Sequence, residues 1–335
     1  MKQTINDGKD ADISSHEALY NRNTGRSWME KRFALLRERQ QRVEAPPFPI
    51  QINIETTNIC NHRCSFCAIG KMRRPGRQME PVLFNRLVAE AYELGAREVG
   101  LFSGAEPLTC KHLEEFILYC KKLGYEYLYI STNGVIGDAT LFRRLIDAGL
   151  DSIKFSINGG DRQTYSAIHG RDDFDKAIET VRFVGQYARQ LDRHVFVGVS
   201  SALTPETEET FVNLVRLIGD SVEEISKYEC HNQSGQTTDL PPPPVSECEN
   251  PFVKAHISLE GYMRACCNDY DNDLAIEDLN KMSLAEAWHS KKFRKFRRRH
   301  LRDDLKGTRC HNCLKGGAYS FVPLNTELAH RTDKN

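Results

Sequence analysis

Three cysteines within eight residues, Cys60, Cys64 and Cys67, carry the strongest chemical signal in this 335-residue chain. Spacings of three and then two residues let one loop wrap three thiolates around a single metal centre, and thiolate is the ligand that iron–sulfur clusters select. A cubane cluster offers one iron to each cysteine of a fully ligated site, so three cysteines leave one iron open, much as a catalytic zinc keeps an unfilled position. A structural zinc is the competing reading. His62 would then be the remaining ligand, but it lies too close in sequence to Cys60 and Cys64 for easy tetrahedral closure.

A second set follows much later. Cys248, Cys266, Cys310 and Cys313 are separated by 17, 43 and 2 residues and supply enough thiolates for one fully ligated cluster, or for a four-cysteine zinc site. The chain has eleven cysteines. Its first residues contain no apolar signal segment, and no later run approaches the ~20 apolar residues of a membrane span, so the expected location is the cytoplasm. Thiols stay reduced there, and the spacings suggest metal binding rather than disulfides. Cys267 and Cys230 are left over. Each can substitute as a ligand, pack as a small buried hydrophobe or donate a hydrogen atom to a substrate radical. Cys110 and Cys120 fall on helix faces.

Lys plus Arg equals Asp plus Glu, at 46 each, which gives no general attraction to nucleic acid or anionic membrane. The basic run from Lys291 to Arg302 places Phe293, Phe296 and Leu301 on one helical face, the pattern of a solvated amphipathic helix rather than an RNA-binding one.

The elements that must position these thiols alternate with regularity. The strand-like run Ile52 to Thr56 leads into the cysteine loop. Helical spacing from Val82 to Leu94, Leu113 to Leu123, Leu141 to Asp147, Phe174 to Arg189 and Glu206 to Ile218 alternates with strand runs at Glu98–Ser103, Tyr127–Ser131, Ser152–Ile157, His194–Ser201 and Val222–Tyr228. Six strands joined by helical crossovers predict a parallel sheet with right-handed connections. The unusual residues fall at strand carboxyl ends, where α/β barrels build their sites: the cysteine loop, Gly104-Ala105-Glu106-Pro107, Thr132-Asn133-Gly134, Ser156 and Ser200. The expected organisation is an N-terminal extension over 1–48 with an amphipathic helix from Ser27 to Arg42, a barrel over 49–236, a linker over 237–247 containing Pro241 to Pro244, and a cluster domain over 248–335.

The Cys60-x3-Cys64-x2-Cys67 pattern, with Phe66 before the last cysteine, resembles the cluster motif of the radical S-adenosylmethionine (radical SAM) superfamily. The downstream pattern, with Gly261-x4-Cys266 after Cys248 and a distant Cys310-x2-Cys313, resembles the auxiliary-cluster domains of that family, called SPASM in full and twitch when shortened. The resemblance implies an α/β fold, a partial (β/α)6 TIM-like barrel with a small C-terminal twitch-type domain. It implies a SAM-binding [4Fe–4S] cluster on Cys60, Cys64 and Cys67, a second [4Fe–4S] cluster on Cys248, Cys266, Cys310 and Cys313, and SAM itself. Gly104 and Glu106 resemble the family's Gly-Gly-Glu-Pro motif, which contacts the SAM amino group, although Ala105 stands where the second glycine would. Ser131, Asn133 and Ser156 match positions that hold the ribose and carboxylate of SAM in relatives, and Phe66 would be a platform near the adenine.

The chemistry so implied is reductive cleavage of SAM to a 5'-deoxyadenosyl radical that abstracts a hydrogen from an unactivated carbon. The expected substrate is a carbohydrate-like or other small molecule, with dehydrogenation or epimerisation as outcome and an external electron donor such as flavodoxin or ferredoxin as partner. No membrane or nucleic-acid partner is expected. The alternatives are a peptide maturase that forms thioether or carbon crosslinks, and a non-enzymatic metal- or RNA-binding protein.

Overall fold

The computed structural model describes residues 41–237 and 239–329, so the helix expected over Ser27 to Arg42 lies outside them except for its last two residues. The described chain opens the sheet with β1 (Gln51–Ile54) and continues through α1 (Pro81–Glu93), β2 (Glu98–Gly100), α2 (Leu113–Leu123), β3 (Tyr127–Thr132), α3 (Ala139–Asp147), β4 (Ser152–Ser156), α4 (Arg162–His169), α5 (Phe174–Ala188), β5 (Phe196–Leu203), α6 (Pro205–Ile218) and β6 (Glu224–Glu229). Local chemistry sets the limits of these elements. Pro81 opens α1 where its missing N–H costs nothing. Gly124 ends α2 at φ 101°, a conformation glycine adopts without a Cβ penalty. Thr204 and Thr207 cap α6 reciprocally.

Helix α4 is an addition to the sequence expectation. Its apolar positions are few, and the elements that hold it in place are Asp161, which caps it through the Thr164 amide, and the left-handed Gly170 that ends it.

β1 to β6 pair in parallel and in sequence order. One face of the sheet is apolar: Ile52, Ile54, Val99, Leu101, Leu128, Ile130, Ile153, Phe155, Val197 and Val199 are buried under the helices. Residues in register share a face, and the opposite face is polar. It carries Gln51 beside Glu98 and Lys254, Asn53 beside His256, Ser131 beside Lys154, and Ser156 beside Ser200. That face is the inside of a curl. Lys154 on β4 and Lys254 on the strand beyond β1 are four strands apart, which in a flat sheet would separate them by about 19 Å. Instead the charge of Lys154 is felt at Lys254. This is the partial barrel of the expected α/β fold.

After the prolines the chain returns to the same sheet. α7 (Asn250–Val253) leads into β7 (Lys254–Ile257), which pairs parallel with β1, and the antiparallel strands β8 (Tyr262–Arg264) and β9 (Ala275–Asp278) extend it to nine strands. α8 (Leu284–Trp288), α9 (Lys291–Leu301) and α10 (Arg309–Lys315) complete the described chain. No helix among the described residues is long and apolar enough to cross a membrane.

The apolar face of α9 differs from the expected one. Phe293 and Phe296 are buried, but Leu301 is 41% exposed and Arg297 and His300 are buried in its place. Residues 293, 296, 297 and 300 follow the i, i+3, i+4, i+7 stripe, and 301 lies beside it. The Arg297 guanidinium lies 4.0 Å and 3.8 Å from the ring centres of Trp288 and Phe293 and donates to the carbonyls of Pro251 and Trp288. Arg298 pairs with Glu44 and Lys292 with Glu277.

A buried ion network joins β1, the cysteine loop and the hairpin. Arg74 donates to both oxygens of Glu55 at 2.7 and 3.0 Å and to Glu260 at 2.8 Å, and Arg264 stands 3.5 Å from Glu55. Arg74→Ala would leave Glu55 short of its main partner in the interior and is expected to cost about 3–5 kcal/mol. Urea denaturation of the variant against the parent chain measures this, and a difference below about 1 kcal/mol would show that the network contributes no more than an exposed pair.

Candidate functional site

The cysteine loop begins where β1 ends and is tied down on both sides. Ser65 N donates to Ile168 O at 2.9 Å and Arg63 N to His169 O at 3.2 Å, so the loop rests on the last turn of α4. Cys67 N donates to Cys64 O, and the Cys67 sulfur caps the short 3-10 turn Ala68–Lys71. The structure brings the three thiols together: Cys67 raises the cost of charging Cys60, and Cys67 and Cys60 raise that of charging Cys64. Burial pushes the Cys60 thiol up to about 11 and the Cys64 thiol up to about 12. Desolvated thiols deprotonate only against a strong positive partner, which a metal centre supplies while releasing their protons.

Behind the loop lies a histidine pair that the sequence reading did not connect. The Asn158 amide donates to His169 Nε2 at 3.1 Å, which leaves the His169 proton on Nδ1. That atom stands 3.1 Å from His62 Nδ1 and 3.6 Å from Cys64 Sγ. His62 Nε2 then donates to Asp173 at 3.2 Å. Burial holds His62 below its usual range and pushes His169 down to about 3, so both rings are neutral.

Among the described residues, the group with three metal-ligating atoms within 4.8 Å of one another is His62, Cys64 and His169. Among the described residues neither cysteine set brings three sulfurs within 4.8 Å of one another. Sets made of thiols alone are the donor sets that iron–sulfur clusters select.

The residues after β2 and β3 form one unit. Glu106 is buried and accepts from Thr132 Oγ1 at 2.7 Å, Asn133 N at 2.7 Å and Leu108 N at 3.0 Å. Its carboxylate thus locks two strand-end loops together. The Asn133 side chain donates to Asn61 Oδ1 at 2.8 Å, inside the cysteine loop. Ser131 and Ser156 face each other at 3.4 Å. Gly104 is covered by Tyr270: a Cβ there would come 2.3 Å from the ring. Phe66 is half-buried and meets Tyr228 edge-on at 6.5 Å.

The later cysteines also gather. Thr308 caps α10, which carries Cys310 and Cys313 on adjacent turns, and both sense Cys248 or each other. Cys266 Sγ is contacted by Ser234 Oγ at 3.6 Å, Asn268 N at 3.4 Å and Asn250 Nδ2 at 3.8 Å. The neighbouring Cys266 thiol, with Lys254 and Arg264 nearby, draws Cys267 down. Cys267 therefore lies toward the polar inside of the barrel, whereas Cys266 lies beside Ser234. Cys230, past β6, is half-buried, and burial pushes its thiol up to about 11.

The barrel interior adds groups the sequence reading missed. Burial lowers Lys154, whose main electrostatic partner is Glu224, and Lys254, which faces Cys267 and Glu98. His256 is buried with both ring nitrogens unpartnered. The available signal was a charged residue flanked by apolar ones in a buried strand, as in Ile153-Lys154-Phe155 and Lys254-Ala255-His256-Ile257.

A family model described as the radical SAM superfamily matches residues 54–218, and one described as an iron-sulfur cluster-binding domain, SPASM, matches residues 248–314. A protein named GTP 3',8-cyclase from Chlorobaculum tepidum is 29% identical over 169 residues, 49% of this chain and 49% of that protein. The chain spans about half, or less, of the length of the curated relatives it matches. Among solved structures, BtrN in complex with AdoMet and 2-DOIA has a TM-score of 0.56 at 17% identity, covering 84% of this chain and 96% of that one. SuiB of Streptococcus suis bound to S-adenosylmethionine has a TM-score of 0.61 at 15% identity, covering 92% and 83%. At these identities the likeness is one of fold.

Burial pushes the Glu106 carboxyl up to about 7, against the three hydrogen bonds that favour its charge. The folded chain then holds this proton where the unfolded chain has lost it, so stability is expected to fall as pH rises from about 4.5 to about 7. The loss is on the order of 3 kcal/mol. Chemical denaturation across this window should show the slope in the parent chain and a flatter one in Glu106→Gln; equal slopes would place the titration elsewhere.

Proposed function

This chain belongs to the radical SAM superfamily, and on that premise we propose that it takes a hydrogen atom from a polar, carbohydrate-like small molecule held inside the barrel, with dehydrogenation or epimerisation as outcome. In this reading Cys60, Cys64 and Cys67 hold the SAM-binding cluster, and Cys248, Cys266, Cys310 and Cys313 hold the auxiliary one. When bound, these groups supply the adenosyl radical at the first centre and a one-electron acceptor at the second.

The observation that carries the substrate class is the polar interior. Two lysines, two glutamates, His256 and a row of hydroxyls line one face, while the partner face is mainly apolar, with Thr132, Ser201 and Lys227 toward its strand ends. His256 is buried with both ring nitrogens unpartnered, a buried polar group is costly unless satisfied, and a polyhydroxylated ligand presents donors and acceptors to it. With both lysines protonated their charges balance those of Glu98 and Glu224, and loss of a proton from either leaves the interior net negative, so both states favour a neutral polar body over a strongly anionic one.

The chain's own residues then divide the work. Ser131, Asn133, Ser156 and Phe66 line the mouth beside the cysteine loop, where SAM would be held, and Glu106 keeps that mouth in shape. Gly104 leaves room there for Tyr270. Oxidation of an alcohol requires a proton to leave the substrate radical along with an electron, and desolvation makes the neutral amine of Lys154 or Lys254 accessible for that proton. Epimerisation requires instead that a hydrogen atom return, and Cys267, beside Lys254, is the first candidate donor, with Cys230 the second. A flavodoxin- or ferredoxin-like donor would supply the first electron.

Anaerobic reconstitution should give about eight irons per chain and SAM cleavage. Incubation with deuterated aminosugars, nucleotide sugars and cyclitols should move deuterium into 5'-deoxyadenosine. In deuterated water, incorporation with an inverted centre means epimerisation, and an oxidised product without incorporation means dehydrogenation. Transfer only from GTP, the molecule in the curated relatives' name, or only from a peptide, would overturn the substrate class.

A further inference from the structure

Gln233 and Ser234 stand in succession in left-handed backbone, at φ 42° and 61°, a region that residues with a Cβ avoid. Strain of this kind persists where the surroundings over-determine it, and it collects at functional positions. The two side chains point to different centres. Gln233 Oε1 accepts from Ala68 N, the amide next to Cys67, at 2.8 Å and from the Tyr270 hydroxyl at 3.3 Å. Ser234 Oγ lies 3.6 Å from Cys266 Sγ, and Ser234 also hydrogen-bonds Cys313. One peptide bond thus separates a contact to the first cysteine set from a contact to the second.

Tyr270 makes a further link. It follows Cys267 by three residues, its ring lies on Gly104, and its hydroxyl stands 3.7 Å from Cys67 Sγ. The turn is clamped to both sides: Asn232 Nδ2 donates to the carbonyls of Asn312 and Cys313, and Gln236 Nε2 donates to Asn268 O. Ala68, Ile69 and Tyr270 pack as a small apolar cluster around Cys60 and Cys67, which keeps water from competing for the hydroxyl.

We infer that Gln233, Ser234 and Tyr270 are positioning residues of one bridge that sets the potentials of both iron–sulfur centres: the single proton of the Tyr270 hydroxyl, which lies between Gln233 Oε1 at 3.3 Å and the Cys67 sulfur at 3.7 Å, turns to the Cys67 thiolate when the cluster is bound, and the Ser234 hydroxyl donates to the Cys266 thiolate. Gln233 Oε1, fixed by the Ala68 amide at 2.8 Å, stands beside the phenol oxygen and sets where it sits relative to Cys67. This rests on the assignment of clusters to the two cysteine sets made above. A hydrogen bond to a ligating sulfur draws charge off the iron and favours the reduced cluster, so each donor raises the potential of the cluster it touches.

The test is an EPR-monitored redox titration of the reconstituted full chain without SAM. Each cluster is read alone in a background that lacks the other set, Cys310→Ala with Cys313→Ala, or Cys60→Ala with Cys64→Ala and Cys67→Ala. Tyr270→Phe keeps the ring on Gly104 and is expected to shift the first cluster to a more negative potential while the second stays in place. Ser234→Ala is expected to shift the second cluster negative. Unmoved potentials with iron content intact would overturn the bridge and leave the cluster assignment standing. Loss of iron from Tyr270→Phe would also overturn it, because the phenol would then be holding the loop rather than tuning the sulfur. A parent chain that binds no second cluster would overturn both.

Discussion

The carboxylate of Glu55 is the point on which this architecture turns. It sits just past β1, where the sheet ends and the cysteine loop begins, and it is buried. A bare charge there would be untenable, so the chain must return to it. Arg74 does so from the far side of the loop with both oxygens paired, Leu259 N does so from the β7–β8 turn at 3.1 Å, and Arg264 approaches from β8. One anion therefore fixes the exit of β1, the return of the loop and the placement of the C-terminal hairpin. The cysteine loop is held to its width because its two ends answer to the same group.

The same economy of desolvation shapes the site. Cys60 and Cys64 in the first set and Cys248 in the second are withdrawn from water and raised by it, which is unfavourable for isolated thiolates and suited to thiolates that bind iron. Glu106 is withdrawn further and is satisfied by loop amides and a threonine. The histidines behind Cys64 are neutral and fixed in tautomer by a backbone N–H. At the mouth Glu106, Thr132, Asn133 and Asn61 hold one another in place.

Much of the barrel was legible because its signals are local. The apolar alternation of six strands, the helical spacing between them and caps such as Gly124 and Thr204 lie within short windows, and the structure places all six strands and all five expected helices within a few residues of those limits. What was not legible depended on contact. Helix α4 has a weak apolar stripe and is held by its caps and by the loop it supports. β7 is four residues long and becomes a strand only because β1 offers it an edge. Leu301 was assigned to the buried face of α9, but Arg297 takes that room because Trp288 and Phe293 present aromatic faces to its guanidinium.

The sequence by itself determined the number and spacing of the thiols, a set of three within one loop and a later set of four. Covalent spacing limits which ligands one loop can close around a metal, and no fold is needed to read it. Only the tertiary structure decided what stands beside those thiols. Tyr270 reaches Cys67 across 203 residues, His169 reaches Cys64 across 105, and Gln233 reaches Ala68 across 165. Such meetings depend on the curl of a nine-stranded sheet and on the burial of Glu55, and neither is written in any one stretch of the chain.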